Sequence, residues 1–246
     1  MPDLSALEPM VTKLCYRYPL QEADRAVLRE LPHKVRSVAA QQYLVEERQP
    51  ATHCCLMLSG FSVRHKIVAA GARQIVAIHM AGDAVDLQNS MLGIADHSVQ
   101  MLTAGEVAMI PRDAVQQIAL EHPRIGMAMW KDTLVDGSIF REWIANVGRR
   151  DSLTRMAHVL CEFALRLRLA GLGEQSHYEL PMTQEQLADV LGLTAVHVNR
   201  TLQALEQQQL ITRHKRSVVI GDWERLASAG DFDATYLHLR DDEPVP

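Results

Sequence analysis

Residues 191–205 read "LGLTAVHVNRTLQAL", a glycine between leucines followed by helix-compatible residues whose polar members gather on one side. Val198, Leu202 and Leu205, spaced four and three apart, give that helix one inward face. Just upstream, Thr183 is followed three residues later by Gln186, the form of a capping box, and opens a helix whose inward positions are Leu187, Val190 and Leu191. Gly192 permits a tight turn between the two helices, and Thr194 can cap the second. The order of these features is that of a helix-turn-helix.

In such a unit the first residues of the second helix reach base edges in the major groove. Here they are Ala195, Val196, His197, Asn199 and Arg200, with Thr183 and Thr194 at the two helix starts completing the candidate DNA-facing set. Arginine bonds guanine bidentately, asparagine does the same to adenine, and alanine or valine packs on a thymine methyl. Downstream, "QLITRHKRSVVIGDW" predicts strands over Leu210–Arg213 and Ser217–Ile220 around a basic turn, a wing whose Arg213, Lys215 and Arg216 can seek phosphates.

The formal charge of −5 gives the whole chain no attraction to nucleic acid, so a local patch must supply it. The stretch from His197 to Arg216 meets that need, with Arg200, Arg213, Lys215 and Arg216 against the single acid Glu206. With 48% hydrophobic and 22% charged residues, the composition is that of a globular protein. No apolar run approaches the roughly 20 residues of a membrane helix. The start "MPDLSALEPMVTKL" does not read as a secretory signal, so a cytoplasmic location is expected and no membrane partner.

Working outward, residues 33–118 have a β texture, as in "CCLMLSGFSVRHKI", "RQIVAIHMAGDAVDL" and "HSVQMLTAGEVAMIP". Gly60, Gly71, Gly82, Gly93 and Gly105 punctuate it at nearly regular intervals, which fits short antiparallel strands in a sandwich, barrel or jelly roll. "RDAVQQIALEH" then reads as a helix, and Pro123 suits the first turn of another that runs to about Asn146. Along it Met127, Trp130, Leu134, Gly137, Arg141 and Ile144 follow steps of three and four, an imperfect seam for self-association; packing against its own domain is the alternative. Gly148 is expected to break this helix, and Asp151 or Ser152 to cap the next. That next helix buries Leu153, Met156, Ala157, Leu160, Ala164, Leu167 and Leu169, and "SHYELPM" follows as a short strand. The tail "RDDEPVP", residues 240–246, reads as frayed.

Together "MTQEQLADVLGLTAVHVNRTLQALEQQQLI", the wing, the β-rich first half and the long helix resemble the Crp/Fnr family of bacterial transcription regulators. The resemblance implies an α+β fold with three parts. A cyclic-nucleotide-binding-type jelly roll with flanking helices would occupy residues 1–122, a dimerisation helix 123–148, and a winged helix-turn-helix 149–246. It also implies a homodimer on a palindromic DNA operator, with RNA polymerase as partner if the protein activates. Arg200 matches the arginine that contacts guanine in most members. Val196 stands where many hold glutamate, so the half-site is expected to differ, and Asn199 is the candidate for a compensating contact.

The effector site departs from the family. Nucleotide-binding members carry a Gly-Glu pair and then Arg-Ser or Arg-Thr, because a ribose hydroxyl needs an acceptor and a cyclic phosphate a guanidinium. In "GDAVDLQNSMLGIADHSVQ", Asp86 can replace the glutamate and Ser98 can supply a hydroxyl, but the arginine is missing and His97 is the nearest substitute. Cyclic-nucleotide binding is not expected, and no cofactor is predicted. An iron–sulfur cluster is rejected, since Cys15 is the only cysteine before Cys54. Haem ligation by His33, His53, His65 or His79 and redox sensing at Cys54, Cys55 or Cys161 stay open.

No catalytic residue or metal site is indicated. A cupin-like metalloenzyme would need an HxH pair in the β half, which has none. A regulatory protein whose winged helix binds protein is the other rival, and it would show a more apolar recognition face than one with Val196 alone.

Overall fold

The computed structural model describes residues 6–239; the first five residues and the tail 240–246 lie outside them. Two compact units result, one from the residues up to Ile67 with Val76–Gly137, the other from Val68–Ile75 with the residues from Ser138 onward.

Helices α1 (Glu8–Arg17) and α2 (Glu22–Arg29) of the first unit precede strands β1 (Lys34–Val38), β2 (Tyr43–Val45), β3 (His53–Met57), β4 (Ser62–Ile67) and β5 (Arg73–His79), of which the last counts with the first unit only from Val76 onward. The short helix α3 (Asn89–Leu92), strands β6 (Ser98–Met101) and β7 (Gly105–Pro111), and helix α4 (Arg112–Glu121) follow. The strands form antiparallel sheets of order β1-β7-β3 and β2-β6-β4-β5. Alternation along β3 shows how they pack. Cys55 and Met57 face a cluster with Val38, Val85, Val99, Met101 and Val107 drawn from both sheets. Cys54 and Leu56 face the opposite way, into a cluster with Leu14, Leu28, Val115 and Ile125 from the helices. The jelly roll thus keeps an apolar interior and carries helices on one outer face. Of the punctuating glycines, Gly60 best shows why the type is needed: its φ is +74°, and a Cβ would meet the Ala104 carbonyl oxygen at 2.8 Å.

Helix α5 spans Pro123–Arg149. The expected break at Gly148 is therefore corrected: an exposed last turn tolerates a glycine, and the chain turns only at Arg150 before Asp151 caps the next helix through the Leu153 and Thr154 amides. That helix, α6 (Ser152–Leu169), is buried on all sides from Met156 to Leu165, which a single apolar stripe does not anticipate. Around it lie β8 (His177–Glu179), α7 (Gln184–Leu191), α8 (Ala195–Gln207), β9 (Ile211–His214), β10 (Ser217–Ile220) and α9 (Trp223–Ala229). The three strands form a sheet of order β8-β10-β9. Tyr178 of β8 packs on Phe163 and donates its hydroxyl to the Leu160 carbonyl at 3.1 Å, pinning the sheet to α6.

Candidate DNA interface and effector region

Local signals place the reading helix. Thr183 caps α7 in a complete capping box: its hydroxyl accepts from the Gln186 amide, and the Gln186 side chain accepts from the Thr183 amide at 2.8 Å. Gly192 ends α7 at φ +64°. Thr194 caps α8 by accepting from the His197 amide at 3.2 Å. Leu187, Val190, Leu191, Val198, Leu202 and Leu205 are all buried, so the opposite face of α8 is turned outward. Thr183 and Thr194 serve as caps, and their hydroxyls are committed to backbone amides.

On that outward face Val196 is 65% exposed and Arg200 is exposed, with no hydrogen bond or ion pair among the described residues. Ala195 is half-buried. His197 shares a 3.0 Å hydrogen bond between Nε2 and Ser152 Oγ, which ties it to the start of α6. Asn199 Oδ1 accepts from Gln184 Nε2 at 3.3 Å, so the Asn199 amide keeps its donors for a partner. Gln184 and Ser152 were missed by the sequence reading. They lie 15 and 45 residues from their partners, and only the crossing of helices brings them together.

The wing is a hairpin with Ser217 opposite His214. Lys215 takes φ +56° at its tip, where Lys215 and Arg216 are exposed. Arg213 differs from them: Nη2 donates to Glu206 Oε2 at 2.8 Å, an ion pair that fastens the wing to α8.

Along α5, Met127, Trp130, Leu134 and Ile144 are exposed, Trp130 at 59%. Gly137 is half-buried, and Arg141 is exposed and donates to Ser138 Oγ at 2.7 Å. An apolar row of this kind on a 27-residue helix is unusual for a face left to water.

In the jelly roll, Asp86 is 1% exposed and accepts from the Cys55 amide at 2.8 Å. Burial pushes its carboxyl up to about 6, against the opposing effect of that amide, the Cys54 thiol and the Arg64 charge. His97 Nδ1 lies 2.6 Å from Asp96 Oδ1; burial, with Arg64 adding to it, pulls the imidazole below its ordinary value. Ser98 Oγ accepts from the Glu47 amide at 3.1 Å. All three candidate effector residues thus make contacts within their own fold.

An arginine does enter this interior, from a place the sequence reading did not consider. Arg64 of β4 is 3% exposed; Nη2 donates to the Val85 carbonyl and Nη1 to Asp136 of α5 at 3.0 Å. Burial raises the thiols of Cys54, Cys55 and Cys161 above their ordinary range, which keeps them protonated. Among the described residues no group of three or more His, Cys, Asp or Glu is placed to hold a metal ion, and no helix is long and apolar enough to cross a membrane.

Comparison with known proteins agrees with this geometry. Residues 35–122 match the cyclic nucleotide-binding domain, and residues 154–229 the Crp-like helix-turn-helix domain. The transcriptional activator protein FnrL of Cereibacter sphaeroides is 27% identical over 201 residues, covering 80% of each chain. The nitrogen fixation regulation protein FixK of Bradyrhizobium diazoefficiens is 28% identical over 190 residues, 76% of this chain and 79% of that one. Among solved structures, FixK2 from Bradyrhizobium japonicum superposes with a TM-score of 0.74 at 22% identity, covering 81% of this chain and 98% of its own. With both domains matched in their order and the recognition helix facing outward, the chain belongs to the Crp/Fnr family of DNA-binding transcription regulators.

Proposed function

We propose that the protein is a homodimer that reads a palindromic operator through Val196, Asn199 and Arg200, while Lys215 and Arg216 hold phosphates. The observation that carries this reading is the outward face of α8, where Arg200 has no hydrogen bond or ion pair among the described residues, whereas Arg150, Arg166 and Arg213 of the second unit are ion-paired. A guanidinium left free on a capped, well-packed helix is preorganised for a bidentate contact with guanine. Val196 cannot accept from cytosine, so that position of the half-site is read by shape and methyl contact. Arg213 positions the wing rather than a phosphate.

The row Met127, Trp130, Leu134 and Ile144 supports pairing of two α5 helices, which would set the two Arg200 residues about 34 Å apart, one turn of DNA. The functional division into residues 1–122, 123–148 and 149–246 follows from these roles. The protein acts in the cytoplasm, where its operator is, and carries out no catalysis. Relatives named as transcriptional activators support RNA polymerase as a further partner.

The signal is not a cyclic nucleotide bound as in nucleotide-dependent relatives. Asp86 and Ser98 are occupied by backbone amides, and Arg64 by Val85 and Asp136. Protonated Cys54, Cys55 and Cys161 disfavour redox sensing at those positions.

The test pairs Arg200→Ala with Lys215→Ala on specific and unrelated duplexes over a range of salt. Arg200→Ala is expected to lose about 1–3 kcal/mol of discrimination. Lys215→Ala should weaken binding to every duplex and lower the salt slope by about one phosphate equivalent. Equal losses from both variants on all sequences would contradict a reading helix.

A further inference from the structure

The chain continues past the matched helix-turn-helix domain, which ends at residue 229. Residues 230–238 turn back over the junction of α5 and α6, two helices joined only through Arg150 and Asp151. At Gly230 this segment comes so close to α6 that a Cβ would meet the His158 amide nitrogen at 2.7 Å. His158 Nδ1 lies 3.1 Å from the Gly230 carbonyl. Asp231 then receives Arg150, at 3.1 Å from Nε and 2.9 Å from Nη2. Arg150 also holds Glu142 of α5 at 2.6 Å.

A 3-10 turn over Ala234–Leu237 brings Tyr236 inward. Its hydroxyl donates to Glu162 Oε2 at 2.8 Å, and Trp143 of α5 donates to the same oxygen at 2.9 Å. Glu162 is 2% exposed and is neutralised by Arg166 at 3.3 Å on its other oxygen. Phe232 and Tyr236 enclose the His158 ring, at 5.2 and 5.8 Å between centroids. At the far end, His238 Nε2 meets Ser138 Oγ of α5 at 3.1 Å.

One short segment therefore engages α5 at Ser138, at Glu142 through Arg150 and at Trp143 through the shared Glu162, and engages α6 at His158 and Glu162. A buried carboxylate that collects donors from three elements is costly to rearrange, because any element that leaves strands the charge. We infer that residues 230–238 are a strap that fixes the angle between the dimer helix and the reading head, with Asp231 and Tyr236 as positioning residues for half-site spacing. The strap touches no DNA. It makes the protein discriminate between operators whose half-sites are identical and differ only in separation. This rests on the dimer and palindrome proposed above.

The experiment measures binding of the full chain to duplexes with two identical half-sites and spacers changed by single base pairs, alongside a duplex with one half-site. Wild type is expected to prefer one spacing by about tenfold over its neighbours. The double variant Asp231→Ala/Tyr236→Phe keeps the aromatic packing and should reduce that preference below about threefold, with single half-site affinity within about twofold of wild type. A chain ended after Gly230 should go further in the same direction. An unchanged spacing profile in the double variant would overturn the strap, even where truncation unfolds the domain. Wild type enriching no half-site at all would instead sink the operator reading beneath it, so the two failures are told apart.

Discussion

Arg200 and Arg64 are the same residue type put to opposite uses. Arg200 stands on a capped helix with its guanidinium outward and unpaired among the described residues, and Arg64 lies in the jelly roll with Nη1 donating to Asp136 and Nη2 to the Val85 carbonyl. One region is arranged to meet something outside the chain, the other to brace the interior of its own fold. The difference separates what each region's substitutions should alter: base preference in the first, stability in the second.

Within α8 the separation can be tested across a single helix. Leu202→Ala empties a buried position and should destabilise the second unit by about 2–5 kcal/mol in chemical denaturation, leaving the preferred operator of the folded fraction unchanged. A new base preference would show that packing and reading are not separable there.

In the jelly roll, the Asp86 carboxyl titrates near 6 in the folded chain against an ordinary value of 3.8. The folded protein therefore holds that proton more tightly than the unfolded chain. The resulting stabilisation is present in full below the ordinary value and is lost as pH rises through about 6. Asp86→Asn should flatten stability across that window and gain up to roughly 3 kcal/mol at neutral pH, offset in part by an amide NH2 lacking an acceptor. Melting curves between pH 4 and 7 check this, and operator preference should not move.

On the outward side, Arg200→Ala should cost about 1–3 kcal/mol of base discrimination with no loss of thermal stability, because the exposed side chain has no hydrogen bond or ion pair to lose among the described residues. A lowered melting temperature would reveal a structural role. The smallest effect is expected at Thr194→Ala, about 1 kcal/mol of stability from the lost cap to the His197 amide. Thr194→Ser should restore it, since serine caps in the same way.

The same contrast explains what the sequence made legible. The helix-turn-helix rests on signals three or four residues apart, such as Thr183 with Gln186 or Val198 with Leu202, and each is visible in the string. Arg64 was not visible. β4 is buried without alternation from Ser62 to His65: Ser62 Oγ lies 3.4 Å from Met57 Sδ of the interior cluster, and Arg64, two residues on, shares that side. Strand register is set by partners far along the chain, here Val99 opposite Arg64, which no local pattern reports. The strap escaped for a related reason. Its Asp231, Tyr236 and His238 each find partners at least 74 residues away, so the segment gives no periodic signal of its own.

Selection of bound duplexes from a random DNA pool by the purified protein, alone and with cyclic nucleotides, tests the account most directly. It predicts a palindrome with half-sites about one helical turn apart, recovered without added nucleotide, whose guanine contact is lost with Arg200→Ala. Recovery of no sequence, or of one without two-fold symmetry, would contradict it.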